Sequence, residues 1–399
     1  MTELSGQPWL RDPATLAVID ALETEGGPGN VRFVGGCVRN ALMGQPVDDI
    51  DLATTLKPEA VVSALDAARL KAVPTGLAHG TVTAVSDRRP FEITTLRRDV
   101  STDGRKATVA FTDDWAEDAA RRDFRLNALY ADREGRIFDP TGQGLADAEA
   151  GRIVFVGDPE TRIREDYLRI LRFFRFFAWY GRGEPDAAGL AACAALSDGM
   201  ERLSAERVSK ELLKLLAAPD PRAAVRAMAD TGVLERILPA PTSLALFEAM
   251  AALTDDPTLR LSALLPDDPA EVAAVATRLR LSNDLRDRLV AAVAGTIPAS
   301  ATAADIRASL YRSGRRATLD RLARLQAARP GVAVSDLRAL ARDWPIPRLP
   351  IGGREVAHAG VSAGPETGRV LKVFEAGWIA DDFPTDGHAA RLKAIVGRG

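Results

Sequence analysis

The sequence predicts an α+β fold, a small mixed α/β portion followed by a long, mainly helical remainder. Residues 31–140 hold short apolar segments separated by Gly, Pro and Asp: Arg32-Phe33-Val34, Asp49 to Ala53, Gly80 to Ser86, Phe91 to Leu96 and Arg136-Ile137-Phe138. From Thr161 the period becomes helical, with Leu168, Leu171, Phe174 and Ala178 on one recurring face and Leu/Ala-rich segments as far as Gln326. A chain of 399 residues, 46% of them hydrophobic, buries a real core and exceeds one ordinary domain.

Composition narrows the possibilities. The formal net charge is −3, so any nucleic acid must be held by local patches. Cys37 and Cys193 form no Cys-x-x-Cys pair, and His79, His358 and His388 are scattered. Neither a disulfide framework nor a zinc site is therefore readable, and a reduced, cytoplasmic protein is expected. The start lacks a basic, apolar leader and no run approaches the ~18 apolar residues of a membrane span, so no membrane partner is expected. Pro and Gly punctuate Ala217 to Pro221, Pro239 to Pro241 and Trp344 to Gly353. The expected divisions are 1–150, 151–218, 219–340 and 341–399. No feature bears on oligomeric state.

The chemistry begins at Val47-Asp48-Asp49-Ile50-Asp51-Leu52. On a strand, Asp49 and Asp51 point to one face, and two adjacent carboxylates invite a divalent cation. Alone, an Asp-x-Asp is more often a solvated turn. Here it follows Gly35-Gly36-Cys37-Val38-Arg39-Asn40, a Gly pair between an apolar strand and an apparent helix, where bare N–H groups approach phosphates with Arg39 one turn in. In Phe91-Glu92-Ile93-Thr94-Thr95-Leu96-Arg97, Glu92 lies opposite the Phe91, Ile93, Thr95 face. It is either solvated or the third carboxylate of a two-metal site with ions ~4 Å apart.

The order Gly35-Gly36-Cys37-Val38-Arg39-Asn40-Ala41-Leu42-Met43-Gly44, then Asp49-Ile50-Asp51-Leu52-Ala53-Thr54, resembles the class II CCA-adding tRNA nucleotidyltransferase and bacterial poly(A) polymerase family. His79-Gly80-Thr81-Val82, Phe91 to Arg97, Arg121-Arg122-Asp123-Phe124-Arg125-Leu126-Asn127-Ala128, Glu165-Asp166-Tyr167-Leu168-Arg169 and Leu203-Ser204-Ala205-Glu206-Arg207 follow in the family's order, spanning residues 31–216. The resemblance implies a polymerase-β-like catalytic head followed by a helical neck, body and tRNA-binding tail. It also implies RNA nucleotidyl transfer with ATP and CTP as substrates, tRNA as partner and magnesium (Mg2+) as cofactor. Position by position, Asp49 and Asp51 would hold metal, with Glu92 beside them. Gly36 and Arg39 would bind triphosphate, and Arg122, with Asp123 and Asn127, the nucleotide. The family's usual Asp and Thr are Asn40 and Arg125 here.

Asp166, Arg169, Arg172 and Arg175 recur every three residues, which predicts one stripe of a helix. The resemblance implies that Asp166 and Arg169 read the base while Arg172 and Arg175 assist with phosphates. The chemistry agrees: cytosine and adenine each present an amino donor beside a ring-nitrogen acceptor, matching a carboxylate and a guanidinium. Uracil and guanine present a carbonyl beside a ring N–H and would leave like facing like, at about 1–3 kcal/mol per buried group. The polar segment Val100 to Thr108 reads as a mobile loop, which in the family is linked to switching from C to A addition.

Ser204 is read as the N-cap of a helix over Val208 to Leu216. Arg307, Arg312, Arg315, Arg316, Arg321, Arg324 and Arg329 face only Asp305 and Asp320, and read equally as a solvated face or a tRNA surface. Alternatives to CCA addition are poly(A) synthesis, which would favour a basic tail that Asp381 to Gly399 does not supply, CC-only or A-only addition, and a non-catalytic RNA-binding protein. His358 and His388 read as surface residues, outside any His-Asp phosphohydrolase spacing.

Overall fold

The computed structural model describes residues 3–4, 6–103, 106–238 and 244–397. The chain divides into two compact units, Met1–Pro239 and Ala240–Gly399.

The first unit is built on a seven-stranded sheet. Its strands are β1 (Val31–Val34), β2 (Asp51–Thr54), β3 (Lys71–Gly76), β4 (Thr81–Ser86) and β5 (Arg89–Thr95), then, after a separate two-stranded ribbon of β6 (Arg97–Asp103) and β7 (Lys106–Phe111), β8 (Tyr130–Ala131) and β9 (Ile137–Phe138). The sheet order is β3-β4-β5-β2-β1-β8-β9. Every pairing is antiparallel except β2 with β5, which run parallel in the register Asp51↔Glu92, Leu52↔Ile93, Ala53↔Thr94. The polar segment read as a mobile loop is thus mostly the two arms of a β-ribbon, with Gly104 and Arg105 outside the described residues.

Strand alternation separates two faces. Phe33, Leu52, Val82, Ala84, Phe91 and Ile93 are almost wholly buried on one, where α1 (Pro13–Gly26) and α3 (Pro58–Ala67) cover them. The opposite face carries Asp51 and Glu92, beside a small cluster of Val34, Ala53, Leu96, Ala119, Ala128 and Tyr130. Between β1 and β2 lies α2 (Gly36–Leu42), entered through Gly35 at φ 69, ψ −120, a backbone conformation that a side chain disfavours.

Helices complete this unit: α4 (Trp115–Ala120), α5 (Gly144–Ala150), α6 (Pro159–Glu165), α7 (Leu168–Tyr180), α8 (Ala187–Ala195), α9 (Ala205–Leu216), α10 (Arg222–Asp230) and α11 (Val233–Ile237). The aromatic face of α7 docks onto the β portion: Phe124, fully buried, lies 4.9 Å from Phe155 and 5.0 Å from Phe176, and Phe155 stacks on Phe173 at 5.6 Å.

Among the described residues the regular elements of the second unit are helices: α12 (Leu244–Leu253), α13 (Pro257–Leu264), α14 (Pro269–Arg278), α15 (Asn283–Val293), α16 (Ala303–Ala328), α17 (Ser335–Asp343), α18 (Gly353–His358), α19 (Pro365–Ala380) and α20 (His388–Val396). Gly314, at φ 80, kinks α16. Irregular backbone occurs at 217–221 and 344–352, where Pro and Gly punctuate the sequence; the third such stretch, Pro239 to Pro241, lies outside the described residues.

Replacing Gly35 by Ala is expected to cost about 1–3 kcal/mol through backbone strain alone, because the added Cβ meets no atom closer than 3.7 Å. Thermal melting of Gly35→Ala against the parent checks this; an unchanged Tm would show that the turn relaxes.

Candidate active site

The parallel register of β2 and β5 sets Asp51 and Glu92 side by side on the open face. Asp49 stands outside the strand, which begins only at Asp51, so the expected same-face alternation of the two aspartates is replaced by an exposed carboxylate on the approach loop. Burial, then the charges of Glu92 and Asp49, push the Asp51 carboxyl up to about 6, while Arg122 and Arg39 pull it down. Three oxygen-donor carboxylates that repel one another suit a hard divalent cation. Among the described residues no three acidic, His or Cys side chains stand as a formed metal cage.

Beside the carboxylates, the glycine turn lies under two guanidiniums. A Cβ on Gly35 would sit 3.7 Å from Arg122 Nη1, and one on Gly36 3.9 Å from Arg39 Nη2, so side chains here would fill the space the two arginines face. Arg122 is anchored from behind: Nη2 donates to Asp118 Oδ2 at 2.9 Å and Nε lies 3.3 Å from both Asp118 Oδ2 and Tyr130 Oη. Asp118, only 1% exposed, also accepts from Arg121 Nε (2.8 Å) and Tyr130 Oη (2.7 Å). Burial opposes its charge, yet Arg122 and Arg121 hold its carboxyl down at about 2.

Arg39 is buried rather than extended. Its Nη1 donates to Asn127 Oδ1 (2.6 Å), its Nη2 to Tyr180 Oη and Asn40 Oδ1 (2.8 Å each), and its guanidinium lies 4.1 Å from the Tyr180 ring centroid. Asn127 Nδ2 in turn donates to Asp123 Oδ1 at 3.0 Å. Arg172 Nε donates to Asp123 Oδ2 at 2.8 Å, and Asp123 is held at about 2 because Arg172 and these hydrogen bonds outweigh burial. One hydrogen-bonded chain therefore runs Tyr180, Arg39, Asn127, Asp123, Arg172.

The expected helical stripe is interrupted. Asp166 is extended (φ −154, ψ 107) between α6 and α7, and only Arg169, Arg172 and Arg175 ride on α7. Its Oδ1 accepts from Leu168 N–H (3.1 Å), which the extended backbone allows and a continuous helix would not. Each member has a carboxylate or guanidinium partner: Asp166 with Arg207 (2.6 Å), Arg169 with Glu165 (2.5 Å), Arg172 with Asp123, and Arg175 with Glu211 (2.5 Å). Arg162 Nη2 donates to the carbonyls of Arg121 and Arg122, tying α6 to the nucleotide motif.

Of the residues expected at the site, Asp49, Asp51, Glu92, Gly36, Arg39, Arg122, Asp123 and Asn127 belong to this one face and its hydrogen-bond network; Arg172 joins it from α7 through Asp123, while Asp166, Arg169 and Arg175 bond to Arg207, Glu165 and Glu211 instead. Sequence reasoning missed Asp118, Tyr130, Tyr180 and Glu211, and gave Arg207 no role. Only Asp118 carried a local signal, four residues before Arg122. Ser204 occupies the N-cap position of α9, which starts at Ala205, three residues before the expected Val208.

The arginine run of the second unit is largely committed to structure. Arg307 pairs with Asp382, Arg316 with Asp284 and Arg324 with Asp267; Arg315 caps the end of α17 through the Ala341 and Trp344 carbonyls, and Arg321 bonds the Ala291 carbonyl. Arg312 and Arg329 are exposed. His358 is exposed as expected, but His388 is half-buried, packing 6.2 Å from Phe374.

Comparison with known proteins decides the family. Residues 31–154 match the poly(A) polymerase head domain, and 185–244 the probable RNA and SrmB-binding site of polymerase A. The mitochondrial CCA tRNA nucleotidyltransferase 1 of Mus musculus is 32% identical over 364 residues, covering 87% of this chain and 82% of that protein. The chain belongs to the CCA-adding tRNA nucleotidyltransferase and bacterial poly(A) polymerase family. A CCA-adding enzyme of Latilactobacillus sakei is 28% identical over 401 residues, 95% of this chain and 96% of that one. The Bacillus stearothermophilus CCA-adding enzyme, solved in complex with CTP, superposes with a TM-score of 0.74 at 26% identity, covering 98% and 99% of the two chains. In this family member the region matching the head domain, with α7 beside it, carries the candidate site.

Two substitutions are expected to have opposite effects on stability. Asp118→Asn leaves Arg122 without its counter-charge and should destabilise by on the order of 3 kcal/mol at neutral pH. Because the folded pKa of about 2 lies below the ordinary aspartate value of 3.8, that contribution is present above pH 3.8 and lost as pH falls through 2. Asp51, with a folded pKa of about 6, costs stability once ionised, so Asp51→Asn should stabilise by on the order of 1–2 kcal/mol above pH 6, with the gain vanishing below 3.8. Melting curves across pH check both signs.

Proposed function

We propose that the chain adds C, C and A in turn to the 3′ ends of tRNA, without a template, using CTP and ATP and releasing pyrophosphate. The observation that carries this is the Asp51–Glu92 carboxylate pair facing the Gly35-Gly36 turn, in a chain 32% identical over most of its length to a CCA tRNA nucleotidyltransferase. The intact carboxylate set speaks for catalysis over RNA binding alone.

Asp49 and Asp51, with Glu92 beside them, are the residues that would hold Mg2+, which when bound lowers the cost of charge on the attacking and leaving oxygens. The tRNA 3′-hydroxyl attacks the α-phosphorus in line, the bond to the bridging oxygen breaks, and pyrophosphate departs. Gly36 and Arg39 at the turn and Arg122 beside it receive the triphosphate. Asp123 and Asn127 hold Arg172 and Arg39 in place around the sugar side, and Arg172 and Arg175 add positive charge from α7. Asp166 and Arg169 read the base by accepting from the amino group and donating to the ring nitrogen. The division we propose is a head over 1–150, a neck over 151–218, a body over 219–340 and a tRNA-binding tail over 341–399. Two buried free cysteines fit a cytoplasmic setting.

Purified protein given a tRNA lacking its last three nucleotides, Mg2+ and one labelled nucleotide at a time should add two C and then one A. Long A tracts would show a poly(A) polymerase, arrest after two C or addition of A alone a partial enzyme, and no product an RNA-binding protein. Asp49→Ala and Asp51→Ala should lower incorporation at least a hundredfold while tRNA retention on a filter persists.

A further inference from the structure

The segment Leu203 to Arg207 has no part in the chemistry above, yet its last residue touches the base-reading carboxylate. Arg207, in the first turn of α9, donates from Nη2 to Asp166 Oδ2 at 2.6 Å, with both side chains about three-quarters buried. The other oxygen, Oδ1, accepts from the Leu168 N–H at the start of α7. Asp166 is extended and belongs to neither flanking helix, so no regular backbone ladder orients it. Two hydrogen bonds from two different elements fix the plane of its carboxylate.

Each carboxylate oxygen keeps a second acceptor site, so this clamp still leaves Asp166 able to accept from a nucleotide amino group. One turn further along α9, at i+4, Glu211 accepts from Arg175 Nε at 2.5 Å and approaches Arg172 Nη1 at 4.0 Å. Opposite charges on one edge of α9 thus match opposite charges on the neck: the cation holds the reading anion, and the anion holds the assisting cations.

Resting on the functional reading above, we propose that Arg207 is a positioning residue for base selection, acting through Asp166. Discrimination by donor–acceptor complementarity works only when the pair cannot turn to suit the wrong base. A carboxylate free to rotate can move away from the carbonyl of uracil or guanine, relieving the clash that rejects them.

The test uses the full chain with the parent, Arg207→Gln and Arg207→Lys, measuring single-nucleotide incorporation of CTP, ATP, UTP and GTP on tRNA lacking its terminal nucleotides. Arg207→Gln should lower the CTP-over-UTP ratio of kcat/KM about tenfold, with kcat for CTP falling less than the ratio. Arg207→Lys, which keeps one donor to Asp166 but loses the guanidinium fork, should lower the ratio only about threefold and melt like the parent. If Arg207→Gln folds poorly, a smaller shift of about threefold in Arg207→Lys supports the inference just as well. A uniform loss on all four nucleotides with an unchanged ratio, or unchanged selectivity in both variants, would overturn it. A parent that incorporates neither C nor A would instead bring down the functional reading itself.

Discussion

The pairing of β2 with β5 is the constraint on which the site depends. Among the described residues it is the one parallel pairing of the sheet, and it sets Asp51 opposite Glu92 on the face away from α1 and α3. The cost is electrostatic: burial first, and then the like charges held adjacent, resist ionisation, which is why the Asp51 carboxyl rises to about 6.

Around that negative centre the positive groups are distributed as pairs. Arg122 is held by Asp118, Arg172 by Asp123, Arg175 by Glu211 and Arg169 by Glu165. An acidic chain can therefore bind a polyphosphate without a basic surface. Each guanidinium is kept in place by a carboxylate on its far side, and phosphates need only share donors that are already oriented. Since Arg offers five N–H donors in a planar fork, one or two can be spent on a carboxylate while others face the ligand. Arg122 shows this most clearly: Nε and Nη2 are spent on Asp118 and Tyr130, and Nη1 faces the glycine turn.

What was legible in the sequence was local. Alternation in Phe91 to Leu96 told which residues share a face, and Leu96, just past the end of β5, is buried against the same cluster as Ala53 on the carboxylate face. The Gly35-Gly36 turn and the helical remainder were also plain. What could not be read is what lies far apart in the chain. Arg39 and Asn127 meet across 88 positions, Arg172 and Asp123 across 49, Arg207 and Asp166 across 41, and no periodicity encodes such pairs. Asp166 illustrates the converse error: its spacing from Arg169 fits a helix, but the chain breaks between α6 and α7, and tertiary partners override the period.

The two departures from the family's motif become intelligible on the same terms. Asn40 accepts from Arg39 Nε and Nη2 through Oδ1, and its Nδ2 donates to the Pro46 carbonyl at 2.7 Å. An aspartate could make the first contact but has no proton for the second, so asparagine here ties Arg39 to the loop that leads to Asp49. Arg125 reaches Gln143 and comes within 3.7 Å of Asp147 Oδ2, a buried oxygen with no hydrogen-bond partner of its own. A threonine is too short for that span. The arginine thus offsets part of the cost of a buried carboxylate that Arg152 satisfies only at its other oxygen. Both residues direct their groups to scaffold partners, Asn40 to Arg39 and the Pro46 carbonyl and Arg125 to Gln143 and Asp147, rather than to Asp49, Asp51 or Glu92, so the departures from the motif leave that carboxylate set in place.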